Sequence, residues 1–174
     1  PHVVDTAELR TNIGINNVSD TLASVTVKLM SSQGSELGAL SVMVMPRGMT
    51  QLNQVVRQLL KRGEVTNVEG YVRLESSQPI LGWASQIDNT TDDPGFAVSK
   101  GGGASKLLVQ STANIGNFKS SLVVVNLGEA AAAVDVVAYN VEGTVQGELR
   151  GQVIPPRGFV SFANVLESLG TFNS

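Results

Sequence analysis

The sequence predicts an all-β protein: two tandem antiparallel β-sandwich modules, Ig-like or jelly-roll-like, each with one short helix after a Pro-Arg-Gly turn. Three observations predict it. Short runs of alternating apolar and polar residues recur between turn signals, the mark of half-buried strands. Hydrophobic residues make up 42% of the chain but aromatics only 5%, so the core must be aliphatic, and its valine favours strands. The strand, turn and helix signals also occur twice in the same order, which marks an internal repeat.

Taken in order, Val3 to Thr6 gives a short strand, and Leu9 to Asn16 alternates with Leu9, Thr11, Ile13 and Ile15 on one face. Asn17-Val18-Ser19-Asp20 is a turn rich in side chains that bond their own backbone. Ala23, Val25, Val27 and Leu29 point inward from the next strand, Ser31 to Gly34 turns the chain, and Leu40 to Val44 returns it. Pro46-Arg47-Gly48 follows. Behind it Leu52, Val55, Val56, Leu59 and Leu60 fall at i, i+3, i+4, i+7 spacing, which predicts a helix with one buried stripe and Gly63 as its left-handed cap. Tyr71 to Glu75 and Ile80 to Ile87 are two more strands, and Asp88 to Gly95 reads as a long polar loop.

Gly101-Gly102-Gly103-Ala104-Ser105 is a flexible linker by composition, and the pattern then restarts. Ser111 to Lys119 leads into Ser121 to Asn126, then Ala133 to Tyr139, then Val153-Ile154 and Pro155-Pro156-Arg157-Gly158. Phe162, Val165, Leu166 and Leu169 repeat the helical stripe, with Gly170 beyond it. The halves match at an offset of 109, and after a one-residue insertion at 110: Asn17 falls on Asn126, Val25 on Val134, Gly34 on Gly143, and Arg47-Gly48 on Arg157-Gly158. This places a first module at 1–100, a linker at 101–105 and a second module at 106–174. The second copy reaches Ser174 without a counterpart of Tyr71 to Val98, so its sheet is expected to expose unpaired edges. Pro1 is not a natural initiator, so a processed product or a fragment is expected, with any signal peptide already removed.

Composition excludes several classes of function. The net charge is −3 with 12 scattered basic residues, the opposite of the clustered positive surface that nucleic acid needs. No apolar run approaches the ~18 residues of a membrane span. No cysteine is present, which removes disulfides, thiolate nucleophiles and thiolate zinc sites. His2 is the only histidine, so no histidine-based triad can be built, and no two carboxylates sit on strands as an inward-facing pair. No catalytic residue and no enzyme activity are predicted.

Leu9-Arg10-Thr11-Asn12-Ile13-Gly14-Ile15-Asn16-Asn17, the later Pro46-Arg47-Gly48, and Gln78-Pro79-Ile80-Leu81-Gly82-Trp83-Ala84-Ser85 running into Asp88-Asn89 and Asp92-Asp93-Pro94 together resemble a family of tandem repeats in secreted bacterial proteins. The resemblance implies an all-β module strung in surface proteins or appended to exported enzymes. It implies an extracellular or cell-surface location and a structural or adhesive role, and it lends no catalytic residue.

Four candidate sites remain. Asp88, Asn89, Asp92 and Asp93 are hard oxygen donors of the kind calcium takes, although they lack the register of a helix-loop-helix calcium site; a hairpin loop held by its own bonds is the plainer reading. No other cofactor is expected. Arg47 and Arg157, with Gly48 and Gly158, recur at matched positions and are read as structural, the arginines bonding carbonyls left open at the turn. Trp83, with Tyr71, is either a carbohydrate-stacking platform or the largest filler of the core. Asn17-Val18-Ser19 and Asn89-Thr90-Thr91 match the glycosylation sequon. The expected function is that of a non-enzymatic structural repeat whose partners are further copies of itself, joined by strand addition between chains. A carbohydrate- or ligand-binding accessory module is the alternative.

Overall fold

Valine-rich alternation makes this chain a strand protein: in the computed structural model 52% of the described residues lie in strands and 6% in helices, and every strand pairing among them is antiparallel. The structure describes residues 1–99, 101–110, 112–116 and 118–170. Lys100, Ser111, Asn117 and the last four residues, which fall in stretches read above, lie outside them. The chain divides into two compact units, Pro1–Ser31 with Ser35–Gly101, and Ser32–Gly34 with Gly102–Ser174.

The first unit holds β1 (His2–Asp5), β2 (Leu9–Asn17), β3 (Ala23–Met30), β4 (Glu36–Val44), β5 (Met49–Leu52), α1 (Val55–Leu60), β6 (Val68–Ser76), β7 (Ile80–Asp88) and β8 (Pro94–Val98). They form two four-stranded sheets, ordered β1-β6-β3-β4 and β5-β2-β7-β8. The period-2 reading of β3 holds: Ala23, Val25, Val27 and Leu29 are all fully buried. They share one cluster with Ile13, Ile15 and Ala84 of the other sheet and with Val55, Val56 and Leu59 of α1. Thr11 is buried among them because its hydroxyl is satisfied twice, accepting from the Val4 N–H and donating to the Val4 carbonyl, both at 2.9 Å.

The predicted helix is shorter than its apolar stripe. Leu52 belongs to β5, which pairs with β2 from Ile13↔Leu52 to Asn16↔Met49. Ladder bonds to an open strand edge satisfy this backbone better than a marginal extra helical turn would, and a spacing of three between Leu52 and Val55 fits either element. Gly63 is not the cap. Lys61 takes the left-handed conformation at φ 55, and the Arg62 N–H closes on the Arg57 carbonyl at 2.9 Å, the 6→1 bond of a Schellman motif. The polar loop is also shorter than expected. β7 extends through Asp88 and β8 begins at Pro94, where a strand's first residue needs no donor.

One buried ion pair ties β1 to α1. The Asp5 carboxylate is 1% exposed, accepts from Arg57 Nε at 2.9 Å, and takes the Thr66 N–H and hydroxyl at 2.7 and 2.9 Å.

The second unit contains β9 (Asn114–Ile115), β10 (Phe118–Lys119), β11 (Leu122–Val125), β12 (Ala132–Tyr139), β13 (Val145–Ile154), β14 (Phe159–Phe162) and α2 (Val165–Ser168). Its pairs β9–β10, β11–β14 and β12–β13 are each two-stranded. The registers repeat those of the first unit: Leu122↔Phe162 and Val124↔Val160 stand where Ile13↔Leu52 and Ile15↔Thr50 stand. The one-residue insertion is a β-bulge. Val134 pairs with Gln152 but Val136 with Leu149, so Asp135 faces both Arg150 and Gly151. Gly151 has φ 60 and donates its N–H to Asp135 Oδ1 at 2.7 Å. Among the described residues nothing corresponds to β6, β7 or β8.

The chain has a single tryptophan, Trp83, so its fluorescence reports unfolding of the first unit alone. Replacing Asp5 by alanine strips the half-buried Arg57 of its partner and orphans the Thr66 N–H. Urea titration followed by that fluorescence is expected to show a loss of about 3 kcal/mol.

Candidate functional site

The Pro-Arg-Gly turns come first because they recur. At each, the strand before the turn leaves its ladder, and its last carbonyls need new donors. The donor is an asparagine. Asn17 Nδ2 donates to the carbonyls of Thr21 (2.7 Å), Val44 (3.1 Å) and Met45 (3.2 Å), and Asn126 Nδ2 to those of Ala130 (2.8 Å), Ile154 (3.2 Å) and Pro155 (3.0 Å). Their Oδ1 atoms accept from the N–H groups of Ser19 and Gly128. Backbone bonds repeat with them: Asn17 to Gly48 and Asn126 to Gly158 at 2.9 Å, Arg47 to Ser19 and Arg157 to Gly128 at 3.0 Å.

Arg47 and Arg157 sit at φ 52 and 56, the left-handed region. The open carbonyls take the asparagine amides, and both arginines form ion pairs. Arg47 pairs with Asp20 at 2.6 Å and Arg157 with Glu129 at 2.6 Å, both in solvent. Gly48 and Gly158 close the turns, donating to the Met45 and Pro155 carbonyls at 2.9 Å. The matched Asn17 and Asn126 were visible in the repeat; that their side chains point inward was not.

The acidic loop carries its own cation. Arg10 donates from Nη1 to Asn89 Oδ1 at 2.6 Å and from Nη2 to Asp92 Oδ1 at 2.9 Å. Asp88 Oδ1 accepts the N–H groups of Thr90 and Thr91 at 2.7 and 3.1 Å, and these bonds hold its carboxyl below the ordinary 3.8. Asn89 Nδ2 donates to the carbonyls of Thr6 and Ala7. Asp93 contributes its backbone carbonyl, which accepts the Asp88 N–H at 3.1 Å. Sequence reading overlooked Arg10, which the β2–β7 register Arg10↔Ile87 carries to the loop. Among the described residues no three His, Asp or Glu form a group suited to a metal ion. His2 is taken up by Glu69 at 2.9 Å.

Trp83 is not a core filler. Ala84 faces the core, so Trp83 stands on the outer face of its sheet, where it lies flat over Gly14; a Cβ at that glycine would fall inside the indole ring. Its Nε1 donates to Asn16 Oδ1 at 3.1 Å, and the Phe96 ring on β8 is 5.5 Å away, tilted by 34°. Tyr71 lies buried on the other sheet and takes no part. Exposed Met49, Leu81 and Val98 extend this apolar face. The outer face of the other sheet is charged, with Lys28–Glu75 at 2.9 Å and Arg73–Glu75 at 3.1 Å.

In the second unit the notable feature is an open one. β12 pairs only with β13 and β11 only with β14, so each has a second edge without a strand among the described residues.

Two outcomes test these geometries. Asn17→Ala leaves buried carbonyls without a donor and is expected to cost at least about 2 kcal/mol in the first unit, whereas Arg47→Gly gives up an exposed pair, relieves a left-handed backbone and stays within about 1 kcal/mol; urea titration on Trp83 fluorescence reads both. Asp88 binds its proton more weakly folded than unfolded, so its stabilisation is present above the ordinary carboxylate range and lost as pH falls through the lowered value. The stability gap between the natural chain and Asp88→Asn is therefore expected to close on acidification through that range. Searches against family models, curated proteins and solved structures found no match for this chain.

Proposed function

We propose that this chain is a non-enzymatic structural or adhesive repeat protein of the cell surface or extracellular space. Its units are read as β-sandwich modules, Ig-like or jelly-roll-like, of the kind strung in secreted bacterial proteins. Further copies of the chain are its partners, joined by strand addition. A head-to-tail contact of that kind does not close on itself and so propagates as a filament.

One observation carries this reading: the clamp, turn and helix are built twice, yet the strands that complete the first unit have no counterpart among the described residues of the second. An unpaired edge beside half-exposed apolar side chains favours another strand. Size-exclusion chromatography with light scattering, run from low to high concentration, is expected to show mass rising above the 18.2 kDa of one chain, with fibres in electron micrographs of the concentrated sample. A monomer throughout would overturn the assembly.

The alternative, an accessory module that binds carbohydrate, is supported by the Trp83–Phe96 face. An indole laid flat on a sheet beside a second ring and flanked by Asn16 offers a sugar an apolar surface and an amide. Neutral polysaccharide is expected to shift Trp83 emission in the natural chain and to be held less well by Phe96→Ala; emission indifferent to every polysaccharide tried would remove this reading.

A further inference from the structure

We infer that the second unit is an acceptor for one continuous two-strand β-arch with the residue pattern of Val68–Asp88. This rests on reading the second unit as an unfinished copy of the first, and it states what finishes it.

The first unit displays the occupant. β6 and β7 follow each other across Ser77-Gln78-Pro79, yet they lie in different sheets: β6 pairs with β3, and β7 with β2. A single segment therefore closes both sheets at once. Its inward residues Val72 and Ala84 belong to the buried cluster, with Leu74 and Ile80 packed against it. By the repeat offset, β12 stands for β3 and β11 for β2. Each lacks a partner on one side among the described residues; so do β13 and β14, but their counterparts β4 and β5 are edge strands in the first unit too, whereas β3 and β2 are flanked on both sides.

Burial points the same way. Ala23, Val25, Val27 and Leu29 are fully buried, while their counterparts Ala132, Val134, Val136 and Ala138 are all partly exposed. Ile13 and Ile15 are fully buried, while Leu122 and Val124 are partly exposed. The residues are apolar in both copies; what differs is the cover. A lone added strand would reach one sheet and leave the other edge open, so the complement has to be an arch.

The first-unit registers fix the fit. Val27↔Leu74 and Leu29↔Val72 place the arch's first strand against Val136 and Ala138; Ile13↔Ala84 and Ile15↔Gly82 place its second against Leu122 and Val124. Two outward positions that differ from the first unit bear on the fit. Gly14, over which Trp83 lies, has Val123 as its counterpart, so an indole laid flat there would meet a side chain, and the arch that fits has a smaller residue at the Trp83 position. The other concerns Glu75 of the first unit. Thr26 faces Glu75 there, and its counterpart is Asp135, so a glutamate at the Glu75 position would meet a like charge directly across the strands. The arch that fits has a neutral or basic residue at that position.

The experiment adds fluorophore-labelled synthetic peptides to the full chain and reads anisotropy together with amide exchange. The Val68–Asp88 peptide carrying Glu75→Lys and Trp83→Thr is expected to bind saturably and more tightly than the same peptide with Glu75 kept, and to protect amides in Leu122–Val125 and Ala132–Tyr139. A peptide with Leu74→Asp is expected to bind at least about tenfold more weakly, since it would bury an unpaired carboxylate. Three results would each overturn the inference: no saturable binding, protection confined to strands of the first unit, or equal binding by a peptide ending at Ser76. These arms change only the peptide, so misfolding of the chain cannot mimic them. Self-assembly by a chain that ignores every peptide overturns the arch and leaves the filament standing; peptide binding by a chain that stays monomeric does the reverse.

Discussion

Each unit turns on one primary amide. Where β4 and β13 leave their ladders, the last carbonyls would face the protein interior without donors, and orphaned groups of that kind are among the costliest features a fold can carry. Asn17 and Asn126 meet the need, each with one NH2 group shared among three carbonyls. The same side chains accept a backbone N–H through Oδ1, so they also fix the turn that follows β2 and β11. Strand end, turn and the left-handed arginine are locked as a single piece. The strained backbone at Arg47 and Arg157 persists because its surroundings over-determine it, and their exposed ion pairs add little to that.

Much of the strand pattern was legible because burial on one face imposes a period of two. Ala23 to Leu29 and Ile13 to Ile15 carry that period in their side chains, and the structure buries the residues so identified. Elements whose identity depends on a distant partner were less legible. β5 reads locally as the start of a helix; only the free edge of β2 makes it a strand. The cap at Lys61 broke the glycine rule because the chain turns one residue after Leu60, and bonds to Arg57 and Gln58 stabilise the left-handed backbone there. In the candidate sites the residue types were right but the geometry was out of reach. Nothing in the sequence says that Arg10 spans to Asn89 and Asp92, or that Trp83 faces outward over Gly14, since both depend on the β2–β7 register.

The two sheets of the first unit treat solvent differently. One outer face is laced with lysine, arginine and glutamate and is well solvated. The other presents Trp83, Phe96, Leu81 and Val98, a concentration of apolar surface on a chain with few aromatics. Such a patch costs solubility unless something covers it. The edge strand β8, wholly exposed along its length, borders the same face. The apolar face and the open edge therefore lie together, and β3 and β4, on the charged sheet, are kept apart from them.

The bulge at Arg150–Gly151 bears on how such modules vary. A residue inserted into a plain strand would turn every later side chain to the opposite face. Here Asp135 absorbs it, holding the Gly151 N–H and the Arg150 side chain, and Ile154 still arrives in phase with its counterpart Val44. Module length can drift at this strand while the asparagine clamp and the turn keep the same bonds. The repeat in this chain therefore has no constant period: its offset is 109 before the bulge and 110 after it, and a fixed spacing loses the match partway along the second copy.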